Sequence, residues 1–285
     1  MKLLITGASG QLGRAVADCL LEKADPEDLI LTTRSPERLR EYAAQGVDVR
    51  EADFGRPETL AAAFAGADRM LLISTDAIGQ RVLQHRAAVE AAVEAGISFI
   101  VYTSFPTSGS RDPLSEEHAA TELMIQTSGL EWCVLKNFPY ADIEVAAMRE
   151  ALERGELVTN TGSAATAFVA RADCAAVAAA VLAGGGHNGR TYDVTGPALI
   201  DARERARIFS EVGGEAVAVC HVDDEALALD ISRRGGPPLA VALSMVGTVG
   251  ALTRDGVFAV QSDTVERLTG TPPTRLQAVL QDAAR

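Results

Sequence analysis

Three glycines near the start of the chain, Gly7, Gly10 and Gly13, carry the clearest chemistry in the sequence. They follow an apolar run (Leu3, Leu4, Ile5) and lead into a helical pattern (Leu12, Val16, Leu20). A strand that breaks on glycines and restarts as a helix gathers backbone N–H groups and the positive helix end at one point, where a pyrophosphate can sit. Gly7 permits the turn, Gly10 lets the backbone approach the phosphates, and Gly13 lets helix and strand pack closely. Set between a strand and a helix, the triplet predicts a dinucleotide cradle.

The choice of dinucleotide rests on the next strand, Leu29-Ile30-Leu31-Thr32-Thr33. An NAD site of this kind places an acidic residue about 20 residues beyond the glycines, on the ribose 2′-OH. Thr33 and Arg34 stand there instead. A guanidinium can fork onto a 2′-phosphate, so NADP(H) is expected over NAD(H), although a solvated loop arginine would read the same way. The third strand (residues 47–51) ends at Asp53-Phe54, an acceptor and an aromatic suited to an adenine.

The elements that must position these residues alternate along the first half. An amphipathic helix is expected near 58–65, a strand at 69–73, a helix at 80–95 and a strand at 98–102; a helix at 116–127 and a strand at 132–135 follow. Strands separated by helices of this length predict an α/β fold: a Rossmann-type doubly wound parallel sheet. Residues 1–150 are expected to form the NADP(H)-binding core and 151–285 a small C-terminal α/β substrate lobe, with some elements returning to the sheet. Helices at 172–183, near Asp201, near Asp223 and at 274–284, and a strand at 190–194, belong to that half. Gly184-Gly185-Gly186 and Gly235-Gly236-Pro237-Pro238 read as turns within one compact unit.

Composition narrows the function classes. A net charge of −13 on 285 residues argues against nucleic acid as a partner, because phosphate binding needs a basic face. Four cysteines (Cys19, Cys133, Cys174, Cys220) lie far apart and read as buried thiols of a reducing compartment; with His85, His118, His187 and His221 they give no metal-ligand spacing. The first strand starts at once, and the least polar stretch, 239–252, is too short for a bilayer; it reads as a core or interface helix. A cytoplasmic protein without membrane insertion, monomeric or homodimeric, is expected. His85 reads as a packed helical histidine.

A chain opening on Thr-Gly-x-x-Gly-x-x-Gly resembles the short-chain dehydrogenase/reductase superfamily, whose usual members carry Tyr-x-x-x-Lys as proton donor and its activator. No tyrosine here has a lysine four residues on; the helix that should bear the pair reads His118-Ala119-Ala120-Thr121-Glu122. At i, i+4 the two side chains share a helix face, where Glu122 would raise the His118 pKa. They could act as an acid pair or simply form a surface salt bridge. An acceptor that takes hydride readily, such as a quinone or a triarylmethane dye, needs no such donor; the protein then mainly aligns the reactants.

Further motifs occur in order: Glu51-Ala52-Asp53-Phe54, Leu71-Leu72-Ile73-Ser74, Gln84-His85-Arg86-Ala87-Ala88-Val89, Val101-Tyr102-Thr103-Ser104 and Glu117-His118 through Glu122. With the glycine motif and the closing Leu268 to Thr274, they resemble the NmrA-like atypical short-chain dehydrogenases, nearest the quinone oxidoreductase type 2 and triphenylmethane reductase group. The resemblance runs nearly end to end. It implies that Gly7, Ser9, Gly10, Gln11, Leu12, Gly13, Arg34, Asp53, Phe54, Ile73, Ser74 and Thr75 contact the cofactor, with Tyr102, Thr103 and Ser104 beside the nicotinamide ribose.

The chain departs from that family's Leu-Arg-Asn at Leu135-Lys136-Asn137-Phe138-Pro139-Tyr140. Asn137 keeps a carboxamide for the nicotinamide amide or a substrate carbonyl, and Lys136 replaces a forked donor with a point charge. Phe105, Phe138 and Tyr140 are candidate faces for a flat aromatic, or else core residues. The loop from Phe105 to Pro113 would form the cleft rim. The resulting expectation is an NADPH-dependent reductase of a planar electron-poor acceptor, with His118, Glu122, Asn137 and Lys136 as catalytic candidates. A biosynthetic reductase of one carbonyl, imine or enone, or a non-catalytic NADP(H)-sensing regulator, are the alternatives.

Overall fold

The computed structural model describes residues 1–107 and 112–285. Seven parallel strands form the main sheet: β1 (Leu3–Ile5), β2 (Leu29–Thr33), β3 (Asp48–Glu51), β4 (Arg69–Ile73), β5 (Phe99–Ser104), β6 (Glu131–Asn137) and β8 (Arg190–Val194). Their order is β3-β2-β1-β4-β5-β6-β8. The order reverses between β1 and β4, and a ligand crevice opens beyond the carboxyl ends of the strands at such a point.

Strand alternation sorts the side chains onto two buried faces. Leu3, Ile5, Leu31, Val101 and Leu135 pack against helices α1 (Gln11–Leu21) and α7 (Arg171–Ala183). Leu4, Ile30, Ile100, Tyr102 and Val134 pack beneath α3 (Leu60–Phe64), α4 (Arg81–Glu94) and α5 (Pro113–Gln126). Full burial of each such aliphatic side chain contributes about 1.5–3 kcal/mol, which fixes the pleat and with it the face on which every functional side chain emerges. The helix expected at 58–65 is a 3-10 turn, Pro57–Thr59, that runs into α3, and α2 (Arg40–Ala43) is a single turn.

The second half divides its elements. Helix α7 packs on α1, and β8 closes the main sheet. The remainder forms a smaller layer with its own core around Met148, Phe168, Phe209 and Leu276. It comprises α6 (Glu144–Arg154), β7 (Glu156–Thr159), α8 (Ala202–Gly213), β9 (Ala218–His221), α9 (Asp224–Arg233), α10 (Leu239–Arg254) and α12 (Leu276–Ala283); α11 (Thr264–Thr269) packs on α7. Strands β7 and β9 pair in parallel as a separate two-stranded sheet. Asp201 and Asp223 are the N-caps of α8 and α9, each accepting a backbone N–H three residues on. The apolar stretch 239–252 lies in α10, which leaves Val241, Met245 and Val249 largely exposed instead of serving wholly as core. Cys133 and Cys174 are buried as expected, but Cys19 and Cys220 are only partly so.

Candidate functional site

The glycine turn is built as the sequence demands. Gly7 sits in the left-handed region (φ +61°), and the Gly10 N–H donates to the Gly7 carbonyl at 3.0 Å. A Cβ on Gly13 would lie 2.6 Å from that carbonyl oxygen and 2.7 Å from Ala8 Cα, so the helix–strand approach excludes any side chain. Gly10 caps α1 without a side-chain bond, which leaves the helix's first N–H groups and its positive end facing outward.

A groove of about 570 Å³ runs across this point at the carboxyl edge of the sheet. Gly7, Ser9, Gly10, Gln11, Leu12, Gly13, Arg34, Asp53, Phe54, Ser74, Thr75 and Thr103 all line it. Thr33 stands where an acid would be in an NAD site, and its hydroxyl lies 2.7 Å from that of Ser9. Arg34 is exposed and makes no ion pair or side-chain hydrogen bond among the described residues. Arg38 lines the groove too, equally uncommitted. Sequence reasoning missed it; the 3-10 turn Pro36–Leu39 that brings it beside Arg34 was the available signal. Asp53 is already engaged, accepting from Gly55 N at 2.9 Å and pairing with Arg56.

Two expected neighbours of the nicotinamide ribose do not reach this groove. Tyr102 and Ser104 follow the even-numbered alternation of β5 onto the α4/α5 face, while Thr103 emerges on the groove side and accepts from Ser74 N at 3.0 Å. Tyr102 is fully buried, its hydroxyl 2.8 Å from His118 Nδ1. The same alternation sends Lys136 to the far face, where it lies 3.8 Å from Glu122.

The His118–Glu122 pair is therefore corrected. No hydrogen bond or ion pair joins the two among the described residues; Ser104 binds Glu122 and approaches His118. His118 is 4% exposed, and its pKa is pushed down to about 3, by burial first and then by the Arg81 and Lys136 charges, with Asp112 opposing. The expected rise is reversed because desolvation of a buried cation outweighs a carboxylate that is spent on Ser104 and Lys136.

His85 is a packed histidine, as expected, but it also shapes the site. Its Nε2 accepts from Thr75 N at 3.1 Å, so Nδ1 carries the proton and donates to the Thr121 hydroxyl at 3.0 Å. Arg81 donates to the Thr75 carbonyl at 2.7 Å and pairs with Glu117 at 2.9 Å. The β4–α4 loop is thus clamped on both backbone groups of Thr75, whose own Oγ1 is buried without a partner.

Tyr140 lines the groove and also a second cavity, of about 490 Å³, between the sheet edge and the C-terminal layer. Pro139, Ile143, Ala147, Phe168 and Val249 supply apolar walls. Bonds from Val169 N to Pro139 O (3.0 Å) and from Ala141 N to Val169 O (2.8 Å) pin the segment. Arg171 stacks over the Tyr140 ring at 4.9 Å and pairs with Asp142 at 2.9 Å. Asn137, on the groove-side face of β6, donates from Nδ2 to the Tyr140 hydroxyl at 3.3 Å, while its Oδ1 has no partner. Phe138 is 2% exposed and packs edge-on to Phe258, so it belongs to the core and offers no stacking face. Phe105 lies between His118 and Phe258, outside both cavities. Of the expected rim loop, Ser108, Gly109, Ser110 and Arg111 lie outside the described residues.

Residues 7–184, more than half of the chain, match the NAD(P)H-binding family. The chain belongs to the NAD(P)H-binding family. Across 96% of both chains it is 34% identical to Quinone oxidoreductase 2 of Escherichia coli (strain K12). A solved structure of the NADPH-dependent quinone oxidoreductase QOR2 of E. coli, complexed with NADPH, superposes with a TM-score of 0.94 at 32% identity, covering 99% of this chain and 100% of that one. The Citrobacter sp. triphenylmethane reductase complexed with NADP(H) gives 0.91 at 32% identity, with coverage of 99% and 100%.

As a member of the NAD(P)H-binding family the protein is an NAD(P)H-dependent oxidoreductase of the NmrA-like type. The residues present fit the dinucleotide: a glycine cradle that a Cβ would fill, uncapped helix N–H groups, two uncommitted guanidiniums and the orphaned Thr75 hydroxyl all face one groove. Among the described residues no group of three or more His, Cys, Asp or Glu could hold a metal ion, and no helix is long and apolar enough to cross a membrane.

Proposed function

We propose that the protein is an NADPH-dependent reductase whose acceptor is a planar, electron-poor aromatic of the quinone class, bound in the cavity behind Tyr140. The observation that carries this reading is the junction itself: the cofactor groove and an apolar cavity of about 490 Å³ share the Tyr140 side chain. Four carboxylates and two guanidiniums line the cavity, and each carboxylate has a guanidinium partner. Glu144 pairs with Arg205 at 2.6 Å, and Arg154 pairs with Asp230, Glu150 and Glu156. The quinone and dye activities named for the similar proteins support the same class.

When bound, the reduced nicotinamide supplies a hydride, and the remaining work falls to the protein. The glycine turn and the α1 N-terminus hold the pyrophosphate. Arg34 and Arg38 are placed for a 2′-phosphate. Thr75, fixed by His85 and Arg81, and Thr103, fixed by Ser74, line the groove where the nicotinamide ring would be held. The apolar walls exclude water and stack the acceptor, so that alignment provides most of the acceleration.

Filling the cavity tests the reading. Ala147→Trp should raise the KM for a small naphthoquinone by tenfold or more while the NADPH dissociation constant stays within about twofold. An unchanged quinone KM would place the acceptor elsewhere.

A further inference from the structure

We propose that the Tyr140 hydroxyl is the proton donor to the acceptor oxygen and that Asn137 is its positioning residue. The proposal rests on the reductase reading above and adds to it the source of the proton.

Geometry selects Tyr140. It is the one side chain among the described residues that lines both the groove and the cavity. The groups on which sequence reasoning placed acid chemistry, His118 and Glu122, lie behind the sheet with Lys136 and line neither space. The Tyr140 oxygen accepts from Asn137 Nδ2, and that bond leaves the hydroxyl proton for another partner. Asn137 is 5% exposed, and its Oδ1 is the second buried polar atom at this edge with no partner. A buried orphan of that kind costs about 1–3 kcal/mol, so Asn137 is held here for its bond to Tyr140 at a stability cost. The ring is held by the Val169 bridge and by Arg171, whose guanidinium beside the ring favours the phenolate left by proton transfer. Burial, helped by Cys174 and Asp142, pushes the Tyr140 pKa well up, and the Asn137 bond and the Arg171 charge oppose that rise only in part.

The step balances. Hydride from the reduced dinucleotide carries two electrons to the quinone and leaves the dinucleotide oxidised. The hydrogen carried by that hydride makes the hydroquinone anion, and the Tyr140 O–H bond breaks as an O–H bond forms on the anion's oxygen, completing the neutral hydroquinone with no further proton. The phenolate regains its proton from solvent in the groove.

Tyr140→Phe keeps the ring, the Arg171 stack and the backbone bridge and removes only the hydroxyl. It should lower kcat for a naphthoquinone by about 100-fold with KM within about threefold, the size of a general-acid contribution. A second readout does not depend on turnover. 4-Nitrophenol added to the NADP⁺-loaded protein, with its absorbance followed against pH, should ionise at least one unit lower when bound to wild type than free. That shift should vanish in Tyr140→Phe and be halved in Asn137→Ala. Identical nitrophenol titrations in wild type and Tyr140→Phe, absence of nitrophenol binding, or loss of KM and kcat in parallel would each overturn the assignment. Failure of wild type to oxidise NADPH with any quinone would instead refute the reductase reading, and the proton step with it.

Discussion

Thr33 and the two guanidiniums that follow it decide which dinucleotide the groove prefers. Thr33 binds Ser9, and Arg34 and Arg38 face the groove without partners among the described residues. A charge-assisted hydrogen bond contributes about 1.5–3 kcal/mol, so replacing Arg34 by Asp should weaken NADPH at least tenfold and leave NADH far less affected. Fluorescence titration with both dinucleotides checks this; equal losses would remove the 2′-phosphate role. Arg34 was legible because it stands at a fixed distance from the glycines. Arg38 was not, because its approach depends on a tight turn after Pro36. The reversal at His118 has a different cause: i, i+4 spacing puts two side chains on one helix face but says nothing of what the strand beneath offers them. Tyr102 binds His118 and Ser104 binds Glu122, and burial then determines the charge state of His118.

At the scale of elements, the closest packing in the site is between β1 and α1. Gly13→Ala would drive a Cβ into the Gly7 carbonyl and Ala8, both backbone, so the helix must retreat. The expected result is a destabilisation of about 1–3 kcal/mol, the usual cost of overpacking, together with a marked loss of NADPH affinity. Thermal melts with and without NADPH measure both; wild-type affinity in this variant would contradict the close-approach role. Strands β1, β2, β4, β5 and β6 were readable from apolar runs of strand length between helical stretches, and β8 from its β-rich composition. β7 and β9 were not, because four residues each (Glu156–Thr159, Ala218–His221) are too few to show a period. Helix α6, which walls the cavity, escaped because its start is fixed by the 3-10 turn at Ala141–Ile143 and by packing against α8 and β7. Strand parity, once the sheet is seen, explains most of the site: odd residues of β5 and β6 face the groove and even ones the α5 side.

For the whole molecule, two buried neutral histidines couple stability to pH. His85 and His118 ionise near 3 when folded and near 6.5 when free, so the unfolded chain binds more protons in that window. Their contribution to stability is complete above about pH 6.5 and is lost as pH falls toward 3. His85→Gln should flatten the dependence of the thermal midpoint on pH between 6.5 and 4; an unchanged slope would mean that other groups control acid unfolding. Net charge, at −13, was fully readable and acts in another way, favouring solubility and disfavouring polyanionic partners. The cavity behind Tyr140 was the least legible feature, since its walls come from the segment after β6 and from α6, β7, α8, α9 and α10, elements far apart in the chain.

Two-electron transfer from NADPH to a quinone is the central expectation for this protein. Anaerobic mixing of the protein and NADPH with a neutral 1,4-naphthoquinone, followed at the reduced-nicotinamide absorbance, should show catalytic oxidation with one hydroquinone formed per NADPH. Tight NADPH binding without oxidation in the presence of any quinone would contradict the account.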